Sequence, residues 1–344
     1  MKKNDKPISV VLLSDDTIDE QLRVYRAAFS TRLGYEEKKQ QWIAKHHDNP
    51  LGHSLFFGAY MDGVLVGMNG YMPMEYKYQG ASIKVLQSCE SGVVPEARGY
   101  GIWSKVVNYA VDYVFANTDY KAIIGFPNYR NSYPGFQKMG WRTILSLSNM
   151  VMVNNVGSFV SREKGLSRIL KSGIALQKIV PRLKSCFQKK YEIKECGINE
   201  LLWDDKNDVL NLSHDESTIQ WQKNSKGLKS LAIMHDNVVI ATVIYGFGHF
   251  NGLPIIKIQK IVSKEESVTQ LSRIISLVLQ YFSKHYTDVA FVRIWALEDS
   301  ELYNALKHTM FVKSSHPNPF IIKEKDDWFM NKQWNLSFWD LDSI

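Results

Sequence analysis

The sequence contains little cysteine and no long hydrophobic segment. Its three cysteines, Cys89, Cys186 and Cys196, are too few and too widely spaced for a disulfide framework or a metal site. No run approaches the roughly 18 consecutive apolar residues of a membrane-spanning helix. The charged residues 1–6 are followed by only a few apolar residues, and we recognise no signal peptide. We therefore expect a cytoplasmic protein that holds no metal and has no stable membrane insertion.

Acidic residues are outnumbered by basic ones. The chain has 42 Lys and Arg against 35 Asp and Glu, a net charge of +7, which suits polyanionic ligands such as nucleotides, anionic lipids or nucleic acid. The basic residues lack interleaved aromatic residues and form no recognition motif, which argues against a nucleic-acid-binding protein. They are densest in residues 161–190, where the apolar residues have helical spacing. We interpret that segment as a solvated helix between domains, with a membrane-contacting or substrate-guiding surface as the alternative.

The 344 residues are enough for two domains, each with its own core. Hairpin signals such as Asp62-Gly63 and Asp236-Asn237 separate predicted strands in both halves, and each half continues with an amphipathic helix, a buried strand and a short helix. This repetition predicts an α/β (α+β) fold with two tandem domains, each a mixed, mostly antiparallel sheet flanked by helices. The predicted boundaries are 1–155 for the first domain, 156–190 for a basic helical linker and 191–344 for the second domain.

A glycine-bearing turn joins a strand that ends at Pro95 to a helix that begins at Ile102. Glycines allow positive φ and let backbone N–H groups come close to a ligand. The helix behind the turn adds unpaired N–H groups and the positive end of its dipole. The pattern predicts a receptor for a diphosphate. In the second half the equivalent helix follows Ser263-Lys-Glu-Glu266, which we interpret as a capping box that leaves no room for a phosphate.

Residues 93–101, Val-Val-Pro-Glu-Ala-Arg-Gly-Tyr-Gly, resemble the coenzyme A-binding motif of the Gcn5-related N-acetyltransferase (GNAT) superfamily. The family pattern is Arg/Gln-x-x-Gly-x-Gly/Ala after an apolar strand, and its backbone amides hold the pyrophosphate of coenzyme A. Arg98 and Gly101 match this pattern, whereas Trp103 replaces the usual small residue. The order of strands and helices over residues 1–155 is also that of the superfamily.

A closer resemblance is to two-domain bacterial members of the superfamily that acylate the amine of a nucleotide-linked amino sugar. It rests on four motifs: Trp42-x-x-Lys45-His46-x-x-Asn49-Pro50-x-Gly52-x-Ser54, Gln87-x-x-Glu90-Ser91, Phe126-Pro127-Asn128, and the segment 334–342. Within that branch the chain is similar to N-acyltransferases acting on dTDP-3-amino-3,6-dideoxyhexoses. The resemblance implies transfer of a short acyl group from acyl-CoA in the biosynthesis of surface polysaccharide such as O-antigen lipopolysaccharide or capsule.

The resemblance also implies which residues contact coenzyme A. They are Val93, Val94, Arg98, Gly99, Tyr100, Gly101, Ile102, Trp103, Ser104, Asn128, Ser132 and Phe136. A backbone N–H near Val93 or Val94 would polarise the thioester carbonyl. Asn128 and Ser132 would bond the pantetheine amides or, alternatively, start a helix. Phe136 occupies the position where the superfamily often has a tyrosine that protonates the thiolate, so this role is empty or falls to Tyr133 or water.

Two residues are candidates for the catalytic base. Glu90 lies at the end of the strand that delivers the donor turn, and His46 has a side chain that titrates near neutral pH. The alternatives are a structural or sugar-binding carboxylate for Glu90 and a helix-end or substrate-contacting group for His46. The expected acceptor contacts are Trp42, Lys45, Asn49, Gln87 and Trp221. These residues have ordinary structural interpretations as well, namely core tryptophans, a helix stop and a strand residue.

Two other functions remain open on the sequence alone. One is an acetyltransferase for aminoglycoside or peptide amines, although such cationic acceptors suit an acidic site better than a basic chain. The other is a non-catalytic module that binds coenzyme A, which Trp103 and Phe136 suggest. The sequence makes no prediction of oligomeric state.

Overall fold

The computed structural model describes residues 7–29, 33–154, 191–204, 206–250, 252–314 and 316–341. The predicted basic linker 156–190 lies outside the described residues. Among the helices that are described, none is both long enough and apolar enough to cross a membrane.

The described residues form a mixture of strands and helices. The strands are β1 (Ile8–Leu13), β2 (Leu55–Met61), β3 (Val64–Tyr78), β4 (Ala81–Val93), β5 (Ala122–Gly125), β6 (Arg142–Val153), β7 (Tyr191–Glu195), β8 (Asn211–Leu212), β9 (Lys229–His235), β10 (Val238–Phe250), β11 (Leu253–Ser263), β12 (Phe291–Leu297), β13 (Val312–Lys313) and β14 (Asn318–Glu324). The helices are α1 (Ile18–Ala28), α2 (Tyr35–His46), α3 (Ile102–Asn117), α4 (Tyr133–Lys138), α5 (Glu216–Lys226), α6 (Val268–His285) and α7 (Glu301–His308).

The chain divides into two compact units that do not follow the boundaries expected from the sequence. Of the described residues, the first unit contains 7–29, 33–145, 206–225 and 319–335, and the second contains 146–154, 191–204, 226–250, 252–314, 316–318 and 336–341. Two later segments join the first unit because β8 pairs with β3 and β14 pairs with β5. Such pairings are non-local, so hydrophobic periodicity along the chain does not reveal them.

In the first unit the strand order is β1-β2-β3-β4-β5-β14, with β8 beside β3. Among the described strand pairs of this unit, only β4–β5 is parallel. Helix α3 contributes Val106, Val107, Ala110 and Val114 to the core, the spacing of one helical face, as predicted. The predicted mixed, mostly antiparallel sheet is confirmed in this unit.

In the second unit the strand order is β6-β12-β11-β10-β9-β7, with β13 beside β6. The elements β10, β11, α6 and β12 repeat the order of β3, β4, α3 and β5, and in both units the last two strands pair in parallel. Helix α6 buries an apolar face that includes Leu271, Ile274 and Val278. The sheet here is again mixed and mostly antiparallel, as predicted.

The predicted capping box at Ser263–Glu266 is wrong. Ser263 ends β11, and α6 begins only at Val268 with Ser267 as its N-cap, whose Oγ accepts a hydrogen bond from the N–H of Gln270 at 3.3 Å. The N–H of Val268 donates to Oε2 of Glu301 at 3.1 Å. A carboxylate of the protein therefore occupies this helix N-terminus, where a phosphate would have to bind.

Candidate active site

Strands β4 and β5 separate near the C-terminal end of β4, the strand that leads into the glycine turn. Their parallel pairing covers only Leu86 and Gln87 of β4, well before β4 ends at Val93. The N–H of Val94 is already used, because it donates to the carbonyl of Val66 in β3 at 2.9 Å. Hydrogen-bonding direction alternates along an antiparallel strand, so the N–H of Val93 points away from β3. Of the two predicted carbonyl-polarising groups, Val93 is the one directed towards the separating strands.

A β-bulge interrupts the β3–β4 pairing at the candidate base. Met68 pairs with Gly92 and Gly70 pairs with Cys89, so Asn69 alone faces both Glu90 and the residue after it. Glu90 has φ of +50°, a left-handed conformation that is uncommon for a residue with a side chain. The bulge turns the Glu90 side chain out of the regular alternation of the strand.

The bulge brings Glu90 into a cluster of charged side chains from the end of α2. Oε1 of Glu90 lies 2.6 Å from Nζ of Lys45 and 3.6 Å from Nε2 of His46. The side chains of Glu90 and Lys45 are only 10% and 15% exposed, and that of His46 is fully buried. On its other side the His46 ring bonds through Nδ1 to Oγ of Ser54 at 2.9 Å. The two candidate bases and the predicted acceptor contact Lys45 therefore form one cluster.

The cluster controls the charge on Glu90. Burial by itself raises the pKa of Glu90, but the charge of Lys45 and the hydrogen bonds and charge of His46 outweigh burial and hold the pKa well below its usual range. Glu90 is therefore ionised at neutral pH and is a weak proton acceptor. Its carboxylate can still accept a hydrogen bond and stabilise a positive charge.

The glycine turn has the geometry of an anion receptor. Gly99 and Gly101 have φ of +86° and +70°, and Gly101 is the N-cap of α3. No side chain caps this helix, and its first turn contains no acidic residue. The first N–H groups of an α-helix have no partner within the helix, so those of Ile102 to Ser104 are directed at the space in front of the turn. Arg98 is exposed beside them, and its Nε donates to the carbonyl of Val93 at 3.3 Å.

Aromatic side chains pack between α3 and α4. The rings of Trp103 and Phe136 meet edge to face with centroids 4.9 Å apart, and Phe136 also contacts Trp141 at 4.7 Å. A Cβ at Gly135 would lie 2.8 Å from Cη2 of Trp103. The missing side chain at Gly135 thus makes room for the large residue that departs from the family pattern. Phe136 is buried, and the nearby hydroxyl of Tyr133 bonds to Oγ1 of Thr143 at 2.8 Å.

Asn128 and Ser132 form the turn that precedes α4. Oδ1 of Asn128 accepts from the N–H groups of Arg130 and Asn131 at 3.1 and 3.2 Å, and Oγ of Ser132 accepts from the N–H of Asn128 at 3.1 Å. Ser132 takes the N-cap position of α4, as the helix-starting alternative expected, but its side chain makes no capping hydrogen bond. The bonds of both residues instead close the turn before the helix. Contacts from both residues to coenzyme A stay a prediction.

Four of the five predicted acceptor contacts are buried, namely Trp42, Asn49, Gln87 and Trp221. Asn49 donates through Nδ2 to the carbonyl of Pro73 at 3.0 Å, and its Oδ1 accepts from the N–H of Leu51 at 3.0 Å. Trp221 donates through Nε1 to the carbonyl of Ala44 at 2.8 Å, near the C-terminal end of α2. The side chains of Asn49 and Trp221 support α2 and the loop after it. The burial of all four residues does not favour direct contact with an acceptor.

Two residues of the cluster region were not among the predicted site residues. Ser54 fixes the orientation of His46, and it stands inside the motif that began at Trp42. Asn69 is buried opposite the bulge and donates through Nδ2 to Oγ of Ser88 at 3.1 Å. The motif that begins at Trp42 could have indicated Ser54. No sequence pattern indicates Asn69, because the place of Asn69 opposite the bulge depends on the register of β3 against β4.

Residues 9–144, which carry this cluster and the glycine turn, match the family model of the acetyltransferase (GNAT) domain. No curated protein matches the sequence. On the match of residues 9–144, the protein is an acyl-CoA-dependent N-acyltransferase.

Solved structures extend the GNAT likeness to most of the chain. A GCN5-related N-acetyltransferase from Anabaena variabilis is 11% identical, with a TM-score of 0.59, and the match covers 93% of this chain and 73% of that one. A tandem GNAT protein from the clavulanic acid biosynthesis pathway is 13% identical, with a TM-score of 0.58 and coverage of 92% and 98%. The N-myristoyltransferase of Saccharomyces cerevisiae with bound myristoyl-CoA is 8% identical, with a TM-score of 0.56 and coverage of 93% and 84%. At these identities the likeness is one of fold, and the predicted pair of GNAT-like domains is confirmed.

Proposed function

We propose that this GNAT protein transfers a short acyl group from acyl-CoA to the amine of a nucleotide-linked amino sugar, with dTDP as the expected nucleotide. The assignment of acyl-CoA as the donor rests on one observation, the uncapped N-terminus of α3 behind Gly99 and Gly101. The assignment of a nucleotide-linked amino sugar as the acceptor is supported by the motifs that resemble those of amino-sugar N-acyltransferases. The net charge of +7 also favours a substrate that bears a diphosphate. The product would be used in the synthesis of a surface polysaccharide.

The donor binds through main-chain groups. The N–H groups of residues 99–104 hold the diphosphate of coenzyme A. The N–H of Arg98 is bonded to the carbonyl of Pro95 at 3.2 Å, and its exposed guanidinium adds charge. The thioester carbonyl accepts a hydrogen bond from the N–H of Val93 between the separating strands. That bond becomes stronger as the carbonyl oxygen gains negative charge in the transition state, so it lowers the barrier.

The acceptor amine attacks the thioester carbon directly. A C–N bond forms, the carbonyl electron pair moves to oxygen, and the C–S bond breaks as the carbonyl returns. Glu90 stays ionised beside Lys45 and stabilises the positive charge on the attacking nitrogen, whose proton leaves through water. The leaving thiolate needs no acid at Phe136, because a thiol pKa of about 8.5 makes it a fair leaving group near neutral pH.

A thiol-release assay tests the acceptor. Short-chain acyl-CoA is incubated with dTDP-, UDP- and GDP-linked amino sugars, and with aminoglycosides and peptide amines for comparison. We expect thiol release only with nucleotide-linked sugars, and fastest with dTDP. Faster release with an aminoglycoside or a peptide would refute the acceptor class, and coenzyme A binding without release in any reaction would support a non-catalytic module.

The donor site has a matched pair of variants. Gly101→Asp places a carboxylate against the diphosphate and should abolish coenzyme A binding in calorimetric titration. Gly63→Asp introduces the same residue at another glycine with positive φ, +77°, in the exposed β2–β3 hairpin, and should bind coenzyme A normally. Equal affinities in the two variants would remove the glycine turn from the donor site.

A further inference from the structure

Two histidines and an aspartate converge on the surface of the first unit, outside the site described above. Asp15 follows β1, His47 follows α2, and His53 precedes β2. Oδ2 of Asp15 lies 3.4 Å from Nδ1 of His53 and 3.7 Å from Nδ1 of His47. The three side chains can each offer one ligand atom, and these atoms all lie within 4.8 Å of one another.

We propose that Asp15, His47 and His53 bind a divalent transition metal, with Zn²⁺ as the best fit. Zinc bonds to histidine nitrogen and carboxylate oxygen at about 2.0–2.2 Å, so tetrahedral ligands lie about 3.4 Å apart. The separations of 3.4 and 3.7 Å are already close to that value. Two imidazoles select a transition metal over Mg²⁺ or Ca²⁺, which prefer oxygen ligands. Three protein ligands leave the fourth zinc position to water.

Hydrogen bonds restrict the backbone of the loop that carries both histidines. The N–H of His47 donates to the carbonyl of Ile43 at 2.8 Å, and the N–H of Gly52 donates to the carbonyl of Asn49 at 3.0 Å. The Asn49 side chain ties the same loop to β3 through Pro73. The rings of His47 and His53 have centroids 5.1 Å apart. The backbone therefore sets the distance between the imidazoles before any metal binds, which reduces the entropy cost of binding.

Charge pairing alone is a weak reason for this arrangement. The side chains of Asp15 and His53 are 66% and 60% exposed, and ion pairs with that exposure contribute little to stability. A metal gives the three side chains a common partner. The site also adjoins the buried cluster along the chain, because His47 follows His46 and His53 precedes Ser54, so a bound metal would stabilise the loop that orients His46.

Zinc titration of the untagged, chelator-treated full chain tests this inference independently of acyl transfer. Calorimetry at pH 7.5 should give one Zn²⁺ per chain. Asp15→Asn and His53→Ala should each weaken binding about 10- to 100-fold or more. The matched controls Asp16→Asn, at the neighbouring exposed carboxylate, and His308→Ala, at an exposed histidine on α7, should bind as the wild type does. Binding should also weaken as the pH falls, because a protonated imidazole cannot bind a metal.

Unchanged zinc affinity in both Asp15→Asn and His53→Ala would overturn the inference. The absence of binding at an excess of Zn²⁺ over protein of about two orders of magnitude would overturn it as well. Circular dichroism checks that the variants are folded. The visible spectrum of the Co²⁺-loaded wild type gives a second measurement, since nitrogen ligands in a tetrahedral site produce intense bands that hydrated Co²⁺ lacks. A spectrum identical to that of hydrated Co²⁺ would also count against the site.

Discussion

The Lys45–Glu90 pair makes a quantitative prediction about stability. Nζ of Lys45 lies 2.6 Å from Oε1 of Glu90, and both side chains are largely buried. The substitution Lys45→Met keeps the length of the side chain and a similar helix propensity, but it leaves an ionised carboxylate without its main partner. Removing one member of a buried ion pair costs about 3–5 kcal/mol. Because both side chains keep some contact with solvent, we expect a loss of about 3 kcal/mol at neutral pH.

The loss of unfolding free energy in Lys45→Met should depend on pH in a predictable direction. In the wild type the pKa of Glu90 is depressed, so the pair stabilises the fold above the pKa of an unfolded carboxyl and loses this effect as the pH falls through the folded pKa. In Lys45→Met, burial dominates, and the pKa of Glu90 should rise. The variant is then penalised most at neutral pH and is relieved as Glu90 takes up a proton. The difference in unfolding free energy between wild type and Lys45→Met should therefore shrink from pH 7.5 towards pH 5.

Urea unfolding followed by tryptophan fluorescence measures this difference at each pH. Lys39→Met is the matched control, since Lys39 is on the same helix and makes an ion pair of the same length, 2.6 Å, with the exposed Asp19. Exposed pairs contribute little, so this control should unfold close to the wild-type urea concentration. If Lys45→Met matched Lys39→Met, or lost the same free energy at both pH values, the buried pair would not control the charge of Glu90.

Three further variants test the site and its support. Glu90→Gln should bind acyl-CoA normally and lower kcat in the thiol-release assay, because the neutral amide cannot stabilise the positive nitrogen; unchanged turnover would remove Glu90 from catalysis. Gly135→Ala should destabilise the protein by about 1–3 kcal/mol through overpacking against Trp103, and the same substitution should cost less when it is made in a Trp103→Ala background. Trp221→Phe should cost about 1 kcal/mol for the lost hydrogen bond to the end of α2 and leave the KM for the acceptor unchanged, whereas a higher KM would indicate a direct contact with the acceptor.

Features set by neighbouring residues could be predicted from the sequence. The hairpin signals Asp62-Gly63 and Asp236-Asn237 appear as turns in which both residues have positive φ, as the type I′ geometry requires. The glycine turn and the buried face of α3 were predicted for the same reason, since spacing along a few residues determines them. The pairing of β8 and β14 with the first sheet could not be predicted, because no local pattern specifies a partner strand more than a hundred residues away.

In the candidate site, too, the sequence predicted individual residues but not the contacts between them. The motifs indicated Lys45, His46 and Glu90 as separate candidates, yet their chemistry depends on contacts between them. Only the register of β3 against β4 creates the bulge that turns Glu90 towards α2, and only that contact changes the charge balance of its carboxyl. A motif can thus identify a carboxylate near an acyl donor without showing whether it is a base. Here its basicity is lowered by a lysine 45 residues away, and for this reason we propose that Glu90 stabilises the attacking amine electrostatically.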